Sequence, residues 1–299
     1  MIEVRTLLCS HHVDMAILCL SSLINFSSDP IKLVIHDDGS LTQRDIDLLK
    51  TTLKNIKIIS RSEADVVMTE ILKTYPHLRQ ERKKYALRLK LLDIPLMSTS
   101  DIAYCDTDIL FFRPFHNLFC WPDTYTSAIF MIDNNECYSA RPLSLLRNKN
   151  LKLPSRVNGG LFYMRKRDYD LDFVDWFLKQ SQFCVIPFWT MQTCFAALAY
   201  RIGLKLWDSQ QISIPSPRMI DDERVIAAHF VTPLRHLLSD FKDSKRCFSN
   251  QNSSVPIKVV SGSKECNILD LMKKQFVDYD RHRILNYLRS IKQKLVSRY

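Results

Sequence analysis

Apolar positions along the first hundred residues alternate between two periodicities. Residues 4–9 (Val-Arg-Thr-Leu-Leu-Cys) form a short apolar run that predicts a strand. Over 13–26 the apolar residues Met15, Ile17, Leu18, Leu20, Leu23 and Ile24 recur at helical spacing. A strand is expected over 31–36, ending in the turn signal Asp37-Asp38-Gly39, then a helix over 42–53 and a β-branched strand over 56–59. Helices are expected over 63–75 and 84–93, the second ended by Pro95, followed by a strand over 102–105. Repeated strand–helix units of this kind predict an α/β fold, Rossmann-like, with a mostly parallel sheet covered by helices on both faces.

Beyond residue 110 the pattern loosens. Strands are expected over 127–132 and 161–164, and helices over 169–180 and 190–202. The polar stretch 249–256 (Ser-Asn-Gln-Asn-Ser-Ser-Val-Pro) is the candidate linker. Residues 268–296 have helical periodicity and a basic face. The expected organisation is therefore one domain over 1–248 and a basic, mostly helical tail over 257–299.

With 46% hydrophobic and 25% charged residues, the 299-residue chain has the composition of a folded globular protein. It holds only 5 Gly and no Walker-type or dinucleotide-type glycine run, which excludes both of those phosphate cradles. The net charge of +10 favours anionic partners. Basic residues gather at Arg79, Arg82, Lys83, Lys84, Arg88 and Lys90, and again from Lys273 onward. Nucleic acid is not the expected partner, because no nucleic-acid motif is present and the Lys/Arg residues are not interleaved with aromatics.

The tail carries Lys273, Lys274, Arg281, Arg283, Arg289, Lys292, Lys294 and Arg298 against Asp278 and Asp280. Its apolar residues Phe276, Val277, Ile284, Leu285, Leu288, Ile291 and Leu295 recur at helical spacing. Such a helix either packs on the domain with a solvated basic face or lies on an anionic membrane. The nine cysteines, an odd number, show no C-x-x-C pair and no zinc-ligand spacing with His. Without a signal-peptide pattern or an apolar span of membrane length, this usage predicts a reducing, cytoplasmic setting, with peripheral membrane contact through the tail as one option.

The chemistry centres on Tyr104-Cys105-Asp106-Thr107-Asp108-Ile109-Leu110-Phe111-Phe112. A strand enters, two carboxylates appear one residue apart, and an apolar run leaves. Carboxylate oxygens suit a hard divalent cation that also binds diphosphate, and the end of a strand is where open α/β sheets hold ligands. Apolar flanks on both sides argue against a merely solvated loop.

Five segments, in order, resemble the retaining glycosyltransferase family 8, which has the GT-A fold. They are Leu33-Val-Ile-His-Asp37-Asp38-Gly39, Tyr85-Ala-Leu-Arg88-Leu-Lys-Leu91, Tyr104-Cys-Asp106-Thr-Asp108, Asn158-Gly159-Gly160-Leu161-Phe162 and His229-Phe-Val-Thr-Pro233-Leu-Arg235. The resemblance implies a metal-dependent transferase that moves a hexose-type sugar from a UDP-sugar to a hydroxyl acceptor with retention. It implies Mn²⁺ or Mg²⁺ held by Asp106, Asp108 and His229, and a diphosphate or donor sugar contacted by Arg88 and Arg235. Asn158, Gly159 and Gly160 would line the donor-sugar pocket, with Leu8, Cys9, Asp37 and Thr107 nearby. Gln192 would sit close to the reacting anomeric carbon, and Arg88 and Gln192 are the catalytic candidates.

The segment after the first strand departs from the family. It reads Cys9-Ser10-His11-His12 where base-holding Asp residues are usual, and Asp14 is the candidate replacement. Thr232 stands for a glycine and Arg235 for a lysine. Two competing readings are a sugar-nucleotide-binding protein without turnover and a nucleotidyltransferase.

Overall fold

The computed structural model describes residues 1–148, 151–215, 222–238, 253–262 and 264–277. In chain order the elements are β1 (Ile2–Leu8), α1 (Val13–Phe26), β2 (Ile31–Asp37), α2 (Gln43–Thr52), β3 (Ile56–Ile59), α3 (Arg61–Ile71), α4 (Pro76–Lys84) and α5 (Leu87–Leu96). Then come β4 (Ile102–Cys105), β5 (Ile109–Phe111), β6 (Phe115–His116), β7 (Ala128–Ile132), α6 (Pro142–Arg147), β8 (Val157–Met164), α7 (Leu171–Lys179) and α8 (Pro187–Ile202). The chain continues with β9 (Leu204–Trp207), β10 (Ile212–Ser213), β11 (Ala227–His229), β12 (Val255–Pro256), β13 (Val259–Val260) and α9 (Ile268–Gln275).

Eight strands form the main sheet in the order β13-β9-β7-β8-β4-β1-β2-β3. The strands β4, β1, β2 and β3 run parallel, as the strand–helix repeats predict, while β8 runs antiparallel to both β4 and β7. Side chains alternate between two cores. Ile102 and Tyr104 of β4 pack with residues of α3, α4, α5, α7 and α8, while Ala103 and Cys105 pack with α1 and α2 on the other face. Helix starts use the expected chemistry, with Thr42–Asp45 and Ser60–Glu63 capping boxes opening α2 and α3.

The chain from Ile109 leaves the main sheet. There β5 pairs antiparallel with β11, which also pairs with β10, giving a separate sheet of three strands. The two carboxylates of the Asp106-Thr107-Asp108 turn therefore lie at the junction of the two sheets.

One expectation is corrected, and the described residues after 248 contribute two short strands. The helix expected over 84–93 begins at Leu87 as α5, an unexpected helix α4 ends before it at Lys84, and Pro95 does not end α5 but lies inside it. Pro95 has no N–H for the Leu91 carbonyl, and the Tyr169 hydroxyl donates to that carbonyl instead. The linker expected over 249–256 contributes β12, which pairs with β6. The tail expected to be mostly helical from 257 supplies β13 to the edge of the main sheet before α9 begins. Both strands are too short to show an alternating pattern in sequence. The rest of the tail, including Arg281 to Arg298 and its apolar residues from Ile284, lies outside the described residues.

The eight described cysteines are free thiols, and Cys247 lies outside the described residues. Among the described residues no helix is long and apolar enough to cross a membrane.

The Leu91 carbonyl offers a stability test. Tyr169→Phe removes its donor from a buried position, so the variant should lose about 1–3 kcal/mol in urea unfolding. A change within error would show that the carbonyl is satisfied in another way.

Candidate functional site

The turn that carries Asp106 and Asp108 is pinned from both sides by main-chain hydrogen bonds. The Asp106 N–H donates to the Gly160 carbonyl of β8 at 2.7 Å, and the Phe230 N–H donates to the Asp108 carbonyl at 2.8 Å. His229, at the end of β11, faces both carboxylates. Its Nε2 lies 3.0 Å from Asp108 Oδ1 and 3.8 Å from Asp106 Oδ2. One ligand atom from each of Asp106, Asp108 and His229 can be chosen so that all lie within 4.8 Å of one another.

That spacing and donor set fit a divalent cation bound at roughly 2.0–2.4 Å to each atom. The other ring nitrogen supports the same reading. His229 Nδ1 lies 3.1 Å from Asn158 Oδ1, and Asn158 Nδ2 donates to Asp133 Oδ2 at 2.7 Å. A proton on Nδ1, held by the amide oxygen, leaves Nε2 as the atom that faces the carboxylates.

The electrostatics are those of tightly paired buried groups. Burial pushes the Asp108 pKa up, but His229 and Arg235 override it and hold the carboxyl well below its usual range. Burial pulls the His229 pKa down, and the adjacent Asp108 more than offsets this, leaving it raised. Asp133 moves the other way, with burial raising its pKa against the hydrogen bond from Asn158.

Gly160 has a clear packing reason to be glycine. A Cβ there would overlap the His229 imidazole and stand 2.9 Å from Asn158 Oδ1. The sequence suggests that this glycine admits a ligand or forms a tight turn. In the structure it lies within β8 and admits the imidazole ring.

The other expected residues divide into two groups. Arg235 joins the centre, donating from Nε and NH2 to Asp108 Oδ2 at 3.0 and 2.7 Å. Its NH1 lies 3.0 Å from His12 Nε2, and His12 Nδ1 lies 3.3 Å from the half-buried Cys9 thiol. Burial lowers the His12 pKa, with Arg235 adding to the effect, and burial raises that of Cys9. Thr107 is buried between the two carboxylates. Gln192 lies beside Asn158 and Gly159, accepting from the Gly159 N–H at 3.3 Å and donating to the Cys137 carbonyl at 3.0 Å.

Like Gln192, the remaining expected residues share no hydrogen bond with the three ligand residues. Arg88 is buried and its Nε reaches Glu81 Oε2 at 3.3 Å, while its NH1 has no hydrogen-bond partner among the described residues. Asp37 turns Oδ1 to the N–H groups of Gly39, Ser40 and Leu41 and so closes the turn after β2. Asp14 is exposed in the first turn of α1, and the Leu8 side chain belongs to the core.

Two residues at the centre were not singled out by sequence. Lys90 Nζ donates to both oxygens of Asp106 at 2.8 and 2.9 Å, and the Tyr104 hydroxyl donates to Oδ1 at 2.6 Å. A usable signal existed, because Lys90 lies in a run of leucines whose helix is apolar on every side. A charge in such a helix needs a buried partner.

No family model matches the chain, and no curated protein matches it in sequence. Solved structures do match it in fold. A structure of the galactosyltransferase LgtC in complex with donor and acceptor sugar analogs superposes with TM-score 0.55 at 12% identity, covering 82% of this chain and 92% of that one. Mouse xyloside xylosyltransferase 1 gives TM-score 0.51 at 12% identity, with 78% and 99% covered. The bifunctional glycosyltransferase WbbM gives 0.52 at 10% identity, with 77% of this chain and 45% of that one covered. The chain thus has the GT-A glycosyltransferase fold expected from its sequence.

The two neighbouring glycines separate packing from backbone effects. Gly160→Ala should cost about 1–3 kcal/mol in urea unfolding, because the new methyl must displace His229. Gly159→Ala should change stability by less than about 1 kcal/mol, because its Cβ would meet only Met191 Sδ, at 3.7 Å. Equal losses in the two variants would contradict the contact between Gly160 and His229.

Proposed function

We propose that this chain is a metal-dependent glycosyltransferase that moves a hexose-type sugar from a UDP-sugar to a hydroxyl acceptor with retention of configuration. The observation that carries this reading is the Asp106–Asp108–His229 cluster at the end of β4 in a glycosyltransferase fold. These three residues would hold Mn²⁺ or Mg²⁺. When bound, the ion supplies Lewis-acid stabilisation of the negative charge that develops on the leaving diphosphate.

The chain's own residues divide the remaining work. Arg235 and Lys90, each on one carboxylate, place fixed positive charge beside the site where the diphosphate would bind. Asn158 orients His229, and Asp133 orients Asn158. Gln192 is held at both ends of its amide, which fits a group that positions the sugar, since an amide is too weak a base to deprotonate an alcohol. Asp106, Asp108 and Asp133 are all engaged by hydrogen bonds, so the acceptor proton has its natural destination on a diphosphate oxygen. That transfer keeps attack and departure on one face of the sugar, which is retention.

Incubation with UDP-hexoses and Mn²⁺ should release UDP, slowly without an acceptor and faster with a suitable sugar alcohol. EDTA should stop the release and added Mn²⁺ restore it. Asp106→Asn and Asp108→Asn should each lower it on the order of a hundredfold or more. Release of inorganic diphosphate from a nucleoside triphosphate and sugar phosphate would instead identify a nucleotidyltransferase. Full activity in EDTA would sink the metal reading.

The start of the tail supports peripheral contact with an anionic membrane. On α9 and just beyond it Leu269, Met272, Phe276 and Val277 are exposed beside the basic Lys273 and Lys274. The full chain should sediment with anionic vesicles at low salt and not with neutral ones. If it stays in the supernatant with both, the exposed face has another role.

A further inference from the structure

This inference rests on the functional reading above and concerns how the site takes up its cation. Asp106 and Asp108 each already have a fixed positive partner. Lys90, whose side chain is 3% exposed, holds Asp106, and Arg235 holds Asp108 through Oδ2. Asp106 Oδ2 and Asp108 Oδ1 are the carboxylate oxygens nearest His229 Nε2. Among these side chains two negative charges are thus met by two fixed positive ones, with the His229 imidazole beside them, before any ion arrives. Asp133, the next carboxylate out, stands behind Asn158.

A divalent cation entering alone would add charge to a partly buried, already balanced site, beside Lys90 and Arg235. Uncompensated charge in such a place is costly, and water cannot reach Lys90 to screen it. A diphosphate restores the missing negative charge and offers acceptors to the same two cations.

We propose that Lys90 is a positioning residue that makes cation uptake conditional on the diphosphate, so that the ion binds weakly alone and tightly only with a nucleoside diphosphate. The two binding steps are then reciprocally coupled, each raising the affinity of the other by the same factor. Arg235 acts in the same sense on Asp108. A merely structural Lys90 would brace Asp106 without affecting this coupling.

The test is a Mn²⁺ titration of the full chain, followed by the spin-resonance signal of the free aquo ion, with and without UDP. In the wild-type protein UDP should tighten Mn²⁺ binding by about tenfold or more. Lys90→Gln should bind Mn²⁺ alone more tightly than wild type, by about tenfold, and the gain from UDP should shrink to match. Lys90→Arg keeps the charge and should restore the wild-type coupling. Thermal melting establishes that each variant is folded. Should Lys90→Gln fail to fold, Arg235→Gln, altered at a residue 31% exposed, reads the same coupling. Equal Mn²⁺ affinity with and without bound UDP, or an unchanged gain from UDP in a folded Lys90→Gln and in Arg235→Gln, overturns the proposal. Absence of UDP binding under every condition overturns the functional reading as well.

Discussion

Charge withdrawn from water has to be met by charge, and α5 is where this chain accepts that constraint. Residues Arg88 to Pro95 are buried, so the helix presents no solvated face on which its ionic residues could rest. Each finds an opposite number: Arg88 with Glu81, Lys90 with Asp106, and Asp93 with Arg82 at 2.7 and 2.6 Å. A broken buried pair leaves its other member unpaired at a cost of several kcal/mol, typically about 3–5. The pairs therefore fix where α5 lies against α4 and against the end of β4, and that placement sets Lys90 on the first carboxylate. Fold and site share one electrostatic solution.

His229 depends on a second layer of the same kind. Its ring is seated by the missing side chain of Gly160 and oriented by the Asn158 amide. The Gly160 N–H also donates to Asn158 Oδ1, at 2.7 Å, so β8 supplies the seat, the orienting group and the bond that holds that group. Two residues of β8, Asn158 and Gly160, thereby shape the histidine before they could shape any substrate.

Much of this was legible in the sequence, and each exception has its own physical cause. The alternation of β1 to β3 with α1 to α3 shows because each element has one apolar face or run. The paired carboxylates show because apolar residues flank them. By contrast α4 (Pro-His-Leu-Arg-Gln-Glu-Arg-Lys-Lys) buries mainly Leu78, Glu81 and Arg82, and its place is held by ion pairs such as Arg82–Asp93. Hydrophobic periodicity cannot reveal a helix whose anchors are charged. Strands of two or three residues such as β10, β11 and β13 leave no alternation to read. Lys90 and Asp106 are sixteen positions apart, and Arg235 and Asp108 are 127 apart, so only the folded chain shows that they are partners. Arg88 is given a role by the family resemblance alone, and its observed partner is Glu81.

The junction between the two sheets has a mechanical consequence. Asp106 is tied through its N–H to β8 of the large sheet, whereas Asp108 is tied through its carbonyl to the residue after β11 in the small one. Only Thr107 separates the two carboxylates along the chain. The gap between them is therefore a gauge of how the sheets are set against each other. A ligand held by all three side chains therefore joins the two sheets, as the His229 ring already does through its contacts with Asn158 and Gly160 of β8.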